Sequence, residues 1–552
     1  MIIKDENDLK EMKTLFCNAK VYLGEGRFAE AVLVDGEDIA AVGTYSELAA
    51  TPDTKLVDCG GRTIIPGFND SHCHLLSVGE QMNRPHITNI RSIDAMVEVC
   101  RQFIVDHPEV KSTGLHGFGW NQDLFTEGEK RIPNRHDLDR ISTEFPVVLE
   151  RTCGHILTCN TKAIEMLGLD AMSPDLEDGS FWREEDGYPS GVFAENACNL
   201  PIGLIPELTE SQIKSNFLSA MRYATSLGVT SVQSNDLSIN KDLHEMISRV
   251  IDDVYESEET TLRYRYQICY LSPEEIRESA ENGIFSKYGQ LQHGRKLAVG
   301  PLKLFKDGSL GARTALMRKE YADDPGNFGM ECLSEELMDS LVQTADELGI
   351  QVVTHVIGDG AVEGTTASYE KVIGKGPNKN RHALIHCQIT DMPLMERIRR
   401  SDIRIFYQPI FLNYDLHVAG QRVGERLAST SYAFGTAIRN GSHVSFGTDS
   451  PVEDIDPFAG VFSAVTRKDL SCFPEGGFYP NECISVEEAI DAYTIGSAEA
   501  EFAENWKGRI APGYVADMVI LDKDIFTVPH DEIKDIRPVC TILGGKIVYG
   551  SI

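Results

Sequence analysis

At 552 residues the chain is long enough for more than one hydrophobic core. Asp and Glu outnumber Lys and Arg by 85 to 52, and the formal charge of −33 repels phosphate backbones and anionic membranes, so the expected partner is a small-molecule substrate rather than nucleic acid or membrane. The opening Met1-Ile-Ile-Lys-Asp-Glu lacks the apolar core of a signal peptide, and no apolar run reaches the length of a membrane span. With 13 scattered cysteines and no Cys-x-x-Cys pair, this predicts a cytoplasmic protein with reduced thiols.

Residues 14–65 carry short β-type runs at Ala19–Leu23, Ala31–Val34, Ile39–Val42 and Arg62–Ile65, divided by Gly and Asp turns into what reads as a small antiparallel unit. The same texture returns at Gly508–Leu521 and Val539–Val548. Residues 1–65 and 506–552 are therefore expected to form one small β-sandwich domain. Residues 66–505 read differently. Strand-like runs at Thr230–Ser234, Tyr264–Tyr270, Leu302–Phe305, Gln351–His355, Ala383–His386, Ile403–Gln408 and His443–Phe446 alternate with helical patterns, and a first strand ending at His72–His74 makes eight. Eight alternating units predict an α/β fold, a (β/α)8 TIM-like barrel with functional groups at the C-terminal ends of its strands. Residues 80–208 are too long for a connection and carry strand and helix signals of their own, so they are expected to form an inserted lobe over the active site.

The chemistry-bearing residues fall at those strand ends. Alternate side chains of a strand share a face, so His72 and His74 can aim two imidazoles at one metal ion while Cys73 points away as a small buried hydrophobe. Lys303 stands between Leu302 and Leu304, where two readings stay open: its head reaches the barrel mouth, or burial keeps the amine neutral and able to take up carbon dioxide as a carbamate. Lys306 is expected nearer the exposed end. His355 and His386 each close an apolar run, whereas His382 starts one and reads as core or as support. Asp449 follows Val444-Ser-Phe-Gly-Thr, where a carboxylate can both hold a metal and accept a proton from water.

Taken together, Pro66-Gly-Phe-Asn-Asp-Ser-His72-Cys-His74, Lys303-Leu-Phe-Lys-Asp307-Gly-Ser-Leu-Gly-Ala-Arg313, Thr354-His355, His386-Cys-Gln388, Tyr407-Gln408-Pro409, Gly447-Thr-Asp449-Ser-Pro451, Ala492-Tyr-Thr494 and Gly508–Asp517 resemble the amidohydrolase superfamily, in its branch similar to N-substituted formamide deformylases. The resemblance runs almost end to end. It implies one or two divalent ions, zinc first, with His72 and His74 on one, His355 and His386 on the other, Lys303 bridging as a carbamate, and Asp449 as ligand and proton shuttle. It extends to Gly117-Phe-Gly-Trp120 and Glu150-Arg-Thr-Cys-Gly-His155, so that Trp120 and His155 are read either as substrate-pocket residues or as lobe core. Ile385 stands where the branch often has glutamate, and Gln233–Asn235 replaces a more usual histidine-aspartate ending.

The expected function is metal-dependent hydrolysis of a non-peptide C–N bond in an amide-like small molecule, such as an N-substituted formamide. Two alternatives stand beside it: an aminohydrolase of a cyclic imine-like substrate, and a catalytically silent homologue used as a binding module. A homodimer is the assembly considered.

Overall fold

The computed structural model describes residues 13–88, 90–151, 156–174, 179–237, 241–257 and 259–552. The chain divides into two compact units, one formed by Leu76–Asn216 and the other by the residues up to Leu75 and from Phe217 onward.

In the larger unit eight strands lie side by side in chain order. They are β1 (Phe68–Cys73), β2 (Val229–Ser234), β3 (Arg263–Ile268), β4 (Leu297–Phe305), β5 (Val352–Val356), β6 (Ala383–His386), β7 (Arg404–Tyr407) and β8 (Val444–Phe446). Every neighbouring pair is parallel. Parallel strands need covering on their outer face, and helices between successive strands supply the cover. The helix Glu335–Glu347 shows how: Met338, Leu341, Val342 and Ala345 recur at helical spacing and are buried, and the Ser334 hydroxyl caps the N-terminus by accepting from Leu337 N.

The barrel is nearly closed, and its seam is made by β1 and the residues after β8. Asp449 N donates to His72 O at 2.8 Å and His74 N to Ser450 O at 2.7 Å. The buried Asp70 carboxylate accepts from His72 N, Thr448 N and the Thr448 hydroxyl, the last at 2.5 Å. Gly447 makes this approach possible, since a Cβ there would stand 2.6 Å from Asp70 Oδ1 and 2.7 Å from His72 N.

Both chain ends contribute to one six-stranded sheet, in which Thr63–Pro66 pairs with Lys20–Gly24 on one side and Met518–Leu521 on the other. A separate four-stranded sheet is built from Lys13–Cys17, Ala31–Asp35, Asp38–Gly43 and Thr54–Asp58. One apolar cluster draws on both sheets, including Phe16, Val32, Ile64, Met518 and Ile542. The N-terminal strands are not purely antiparallel, as their short turns suggested: Lys20–Gly24 runs parallel to Thr63–Pro66, because the chain between them leaves to build the other sheet and returns in the same direction. Of Gly508–Leu521, only Met518–Leu521 is a strand.

The Leu76–Asn216 unit holds a five-stranded sheet and its own apolar cluster around Met96, Cys100, Trp120 and Leu149. Among the described residues the cysteines are free thiols, and no helix is long and apolar enough to cross a membrane.

A buried clasp ties β3 to the C-terminal strands. Arg263 Nε donates to Asp517 Oδ2 at 2.7 Å and Nη2 to Oδ1 at 2.9 Å, while Gly544 N also donates to Oδ1. Removing one member of a buried pair strands the other's charge, at a cost of about 3–5 kcal/mol. Arg263→Ala should accordingly lower unfolding stability by about that amount in denaturant titrations; a loss under about 1 kcal/mol would show that water replaces the clasp.

Candidate metal centre

The strand ends bring six of the expected residues together. His72 is the last inward residue of β1, His74 follows it, Lys303 lies on β4, His355 on β5, His386 closes β6 and Asp449 follows β8. Asp449 Oδ1 is 3.2 Å from His72 Nε2 and 3.2 Å from His74 Nε2, and Oδ2 is 4.0 Å from His386 Nε2. His72, His386 and Asp449 each present a ligand atom within 4.8 Å of the others. The backbone is strained to achieve this, with φ of +72° at His386, +47° at Cys387 and +56° at Asp449, a left-handed region that non-glycine residues adopt only when their surroundings enforce it.

Which nitrogens face the centre is decided by what lies behind each ring. His74 Nδ1 is 2.7 Å from the carbonyl of Asn235, and His355 Nε2 is 3.1 Å from that of Gly308; a carbonyl only accepts, so those nitrogens carry the protons. His72 Nδ1 donates to Gln267 Oε1 at 2.6 Å, and Gln267 is held in that orientation by its own Nε2 donating to Ser71 O. His386 Nδ1 donates to Gln408 Oε1 at 2.7 Å, with Gln408 Nε2 on Phe406 O. In the neutral rings the four remaining nitrogens therefore turn lone pairs inward. His355 Nδ1 and His386 Nε2 stand only 2.9 Å apart. Two lone pairs at that distance repel unless a positive charge lies against them.

A proton on either ring is a poor source of that charge. Burial pushes His355 down to about 3 and His386 well below the usual histidine value, and His72 down to about 4. At His74 burial also opposes the imidazolium, but the Asp449 carboxylate outweighs it and holds the ring above its usual value. Burial opposes the Asp449 anion too, yet positive charge on the imidazole side, with His72 and His74 nearest, holds it well below the ordinary carboxylate range. Inward-facing imidazoles around a buried carboxylate fit a divalent cation.

Lys303 is fully buried, and among the described residues its Nζ has no hydrogen-bond partner; it lies 4.2 Å from the centre of the Phe305 ring. Burial brings the amine down to about 7, against the pull of Asp449. Its head thus stays inside the barrel and does not reach solvent. Lys306, expected nearer the exposed end, is buried as well: Nζ donates to Glu331 Oε1 and Leu333 O, each at 2.5 Å, because the loop after β4 folds back over it. His382 is a core residue, accepting from Val352 N at Nδ1 and paired through Nε2 with Asp346. Cys73 is buried, and its thiol is held well above the usual range by burial. Trp120 has no exposed surface and donates its indole N–H to Leu149 O at 2.8 Å inside the lobe's apolar cluster, which accounts for it as packing. His155 lies outside the described residues.

Gln267 and Gln408 were not picked out as site residues from the sequence, although Gln408 sits in Tyr407-Gln408-Pro409. The signal is an amide closing a row of polar residues on one face of a strand, as in Arg263, Arg265 and Gln267 of β3. Without its acceptor His72 loses the fixed tautomer, and changes of this kind lower metal affinity by about 10- to 100-fold. Gln267→Leu should weaken metal binding within that range in chelator competition while the fold persists; unchanged affinity would show that the ring is oriented by packing alone.

Comparison with known proteins agrees with this arrangement. The chain matches the Amidohydrolase family over residues 55–549. It is 31% identical over 546 residues to YtcJ of Bacillus subtilis (strain 168), named as an amidohydrolase, covering 98% of this chain and 99% of that one. It is 23% identical to the N-substituted formamide deformylase of Arthrobacter pascens, covering 98% of each. Among solved structures, a metal-dependent hydrolase of Pyrococcus horikoshii OT3, described as uncharacterized, superposes with a TM-score of 0.75 at 26% identity, covering 94% of this chain and 99% of that one. The chain belongs to the amidohydrolase family and is a metal-dependent hydrolase acting on carbon–nitrogen bonds.

Proposed function

We propose that the protein hydrolyses the C–N bond of an amide-like small molecule, an N-substituted formamide or a related amide, with one or two zinc ions held by His72, His74, His355, His386, Asp449 and Lys303. The observation that carries the reading is the set of four imidazoles whose outer N–H groups are all occupied, leaving their lone pairs aimed at one centre beside a buried carboxylate. A divalent cation bound there supplies acidification of water and polarisation of a carbonyl. Asp449, whose carboxylate is held in the ionised form, takes the proton of the attacking water and hands it to the departing nitrogen, so that carboxylate and amine leave with the atoms balanced. Small neutral or cationic amides suit a protein of charge −33 better than polyanions do.

Lys303 supports a two-ion site. Its amine is enclosed, without a hydrogen-bond partner among the described residues, on the same strand ends as the ligands. Addition of carbon dioxide forms an N–C bond and releases one proton, giving a carbamate whose two oxygens can each face one ion. We propose a domain division of residues 1–65 with 506–552 as a β-sandwich, 66–505 as the barrel, and 80–208 as an inserted lobe. Its support is the shared six-stranded sheet and the separate compactness of Leu76–Asn216.

Metal analysis of protein purified without chelator, followed by assays on N-substituted formamides, acyl amides and cyclic imines, tests the function. Turnover of an amide supports it. Turnover of cyclic imines alone favours the deaminase, and a metal-loaded protein that turns over only a phosphate ester refutes it. Asp449→Asn keeps the shape but cannot ferry the proton, so kcat should fall by at least about 100-fold with metal retained; near-normal kcat with chemistry rate-limiting would remove Asp449 from proton transfer. Lys303→Ala should reduce bound metal from two ions per chain to one, measured by atomic emission. Two ions retained in that variant would exclude a bridging carbamate.

A further inference from the structure

An unexplained feature lies at the other end of the barrel. A cavity of ≈ 350 Å³ opens at the N-terminal ends of β3 and β4, lined in part by Arg265, Lys296, Phe502, Trp506 and Lys507. Arg265 pairs in register with Ala298 on β4, five residues before Lys303, so roughly 17 Å of strand separates the cavity from the metal centre. That volume falls within the range of about 300–1,000 Å³ usual for small-molecule pockets.

Its lining is cationic in a protein that is strongly acidic overall. Most of those charges are already matched: Arg263 by Asp517, Arg295 by Asp38 at 2.8 Å, and Lys507 by Glu501 at 2.5 Å. Arg265 is different. It is 5% exposed, its Nη1 is enclosed with no hydrogen-bond partner, and among the described residues no carboxylate pairs with it. A buried guanidinium nitrogen left unsatisfied is costly, and the fork of a guanidinium matches a planar carboxylate. The side chain is accommodated by Gly300, where a Cβ would lie 2.9 Å from Arg265 Cγ and Nε. Two aromatic rings flank the charges: the Arg265 guanidinium is 6.0 Å from the centre of Phe502, and Lys507 Nζ is 5.3 Å from that of Trp506.

We infer that this cavity is a second ligand site, for a small molecule carrying one carboxylate on a flat apolar body. Arg265 receives the carboxylate, and Trp506 and Phe502 cover the body. The site is separate from the hydrolytic centre and needs none of its residues.

The probe is 2-naphthoate, titrated into the metal-loaded protein by calorimetry, with the neutral 2-naphthamide as its isostere. Saturable binding of the acid is expected, with the amide and Arg265→Met each about 10- to 100-fold weaker, the loss of one charge-assisted hydrogen bond. Trp506→Leu, at a partly exposed position, should also weaken binding and serves if Arg265→Met does not fold. Asp449→Asn should bind the acid as the wild type does. The inference fails if acid and amide bind alike, if both cavity variants keep full affinity, or if binding is lost only in Asp449→Asn, which would place the probe at the metal centre.

Discussion

The centre depends on where four imidazole protons are placed. Each outer nitrogen meets a carbonyl oxygen, from the backbone for His74 and His355 and from an oriented glutamine for His72 and His386. A carbonyl cannot donate, so the tautomer of every ring is forced and the lone pairs converge. Burial then keeps His72, His355 and His386 from taking up protons to relieve the crowding. The remaining way to stabilise 2.9 Å between two unprotonated nitrogens is a cation, which is how a metal preference arises from hydrogen bonds made on the far side of the rings.

Holding those rings requires the barrel to close at one seam. Asp70 draws the chain after β8 onto β1 through Thr448, and backbone bonds at His72 and His74 continue the join. The seam sets Asp449 against both histidines of β1 in a left-handed backbone conformation that a free chain would leave. The opposite end of the barrel is tied with charges. Lys507 joins Glu501 and Ser231, Asn69 donates to Glu501, and Arg404 reaches Glu499, so the segment Ser497–Lys507 is bound to the strands by buried polar contacts. Such a plug is stable only where each group is matched, which is why the unmatched Arg265 stands out.

Much of the architecture was legible because barrel strands obey local rules. Each apolar run marked for a barrel strand contains one, since alternation along a strand is a property of the chain itself. Ala383–His386 coincides with β6, and Val444–Phe446 differs by one residue from the expected run. Errors came where a distant segment changes the environment. Lys306 looks exposed by its place near a strand end, but Glu331 and Leu333 return to cover it. Trp120, open from the sequence to a place in the pocket or in the lobe core, has its indole N–H taken by Leu149 on a neighbouring strand, a contact no local pattern announces.

The sequence by itself determined the kind of chemistry: two histidines two apart on a strand, two more histidines and an aspartate at later strand ends, and a lysine set among leucines. Those are statements about residue type and spacing, and they survive in any fold that keeps the strands parallel. Tertiary structure alone decided which nitrogen of each ring faces inward, that Lys303 is enclosed without a partner, and that Arg265 meets a cavity where its neighbours meet carboxylates. The partners involved are far apart in the chain, 378 residues in the case of Asp70 and Thr448. No local pattern encodes such pairings, because they come into being only when the eighth strand reaches the first.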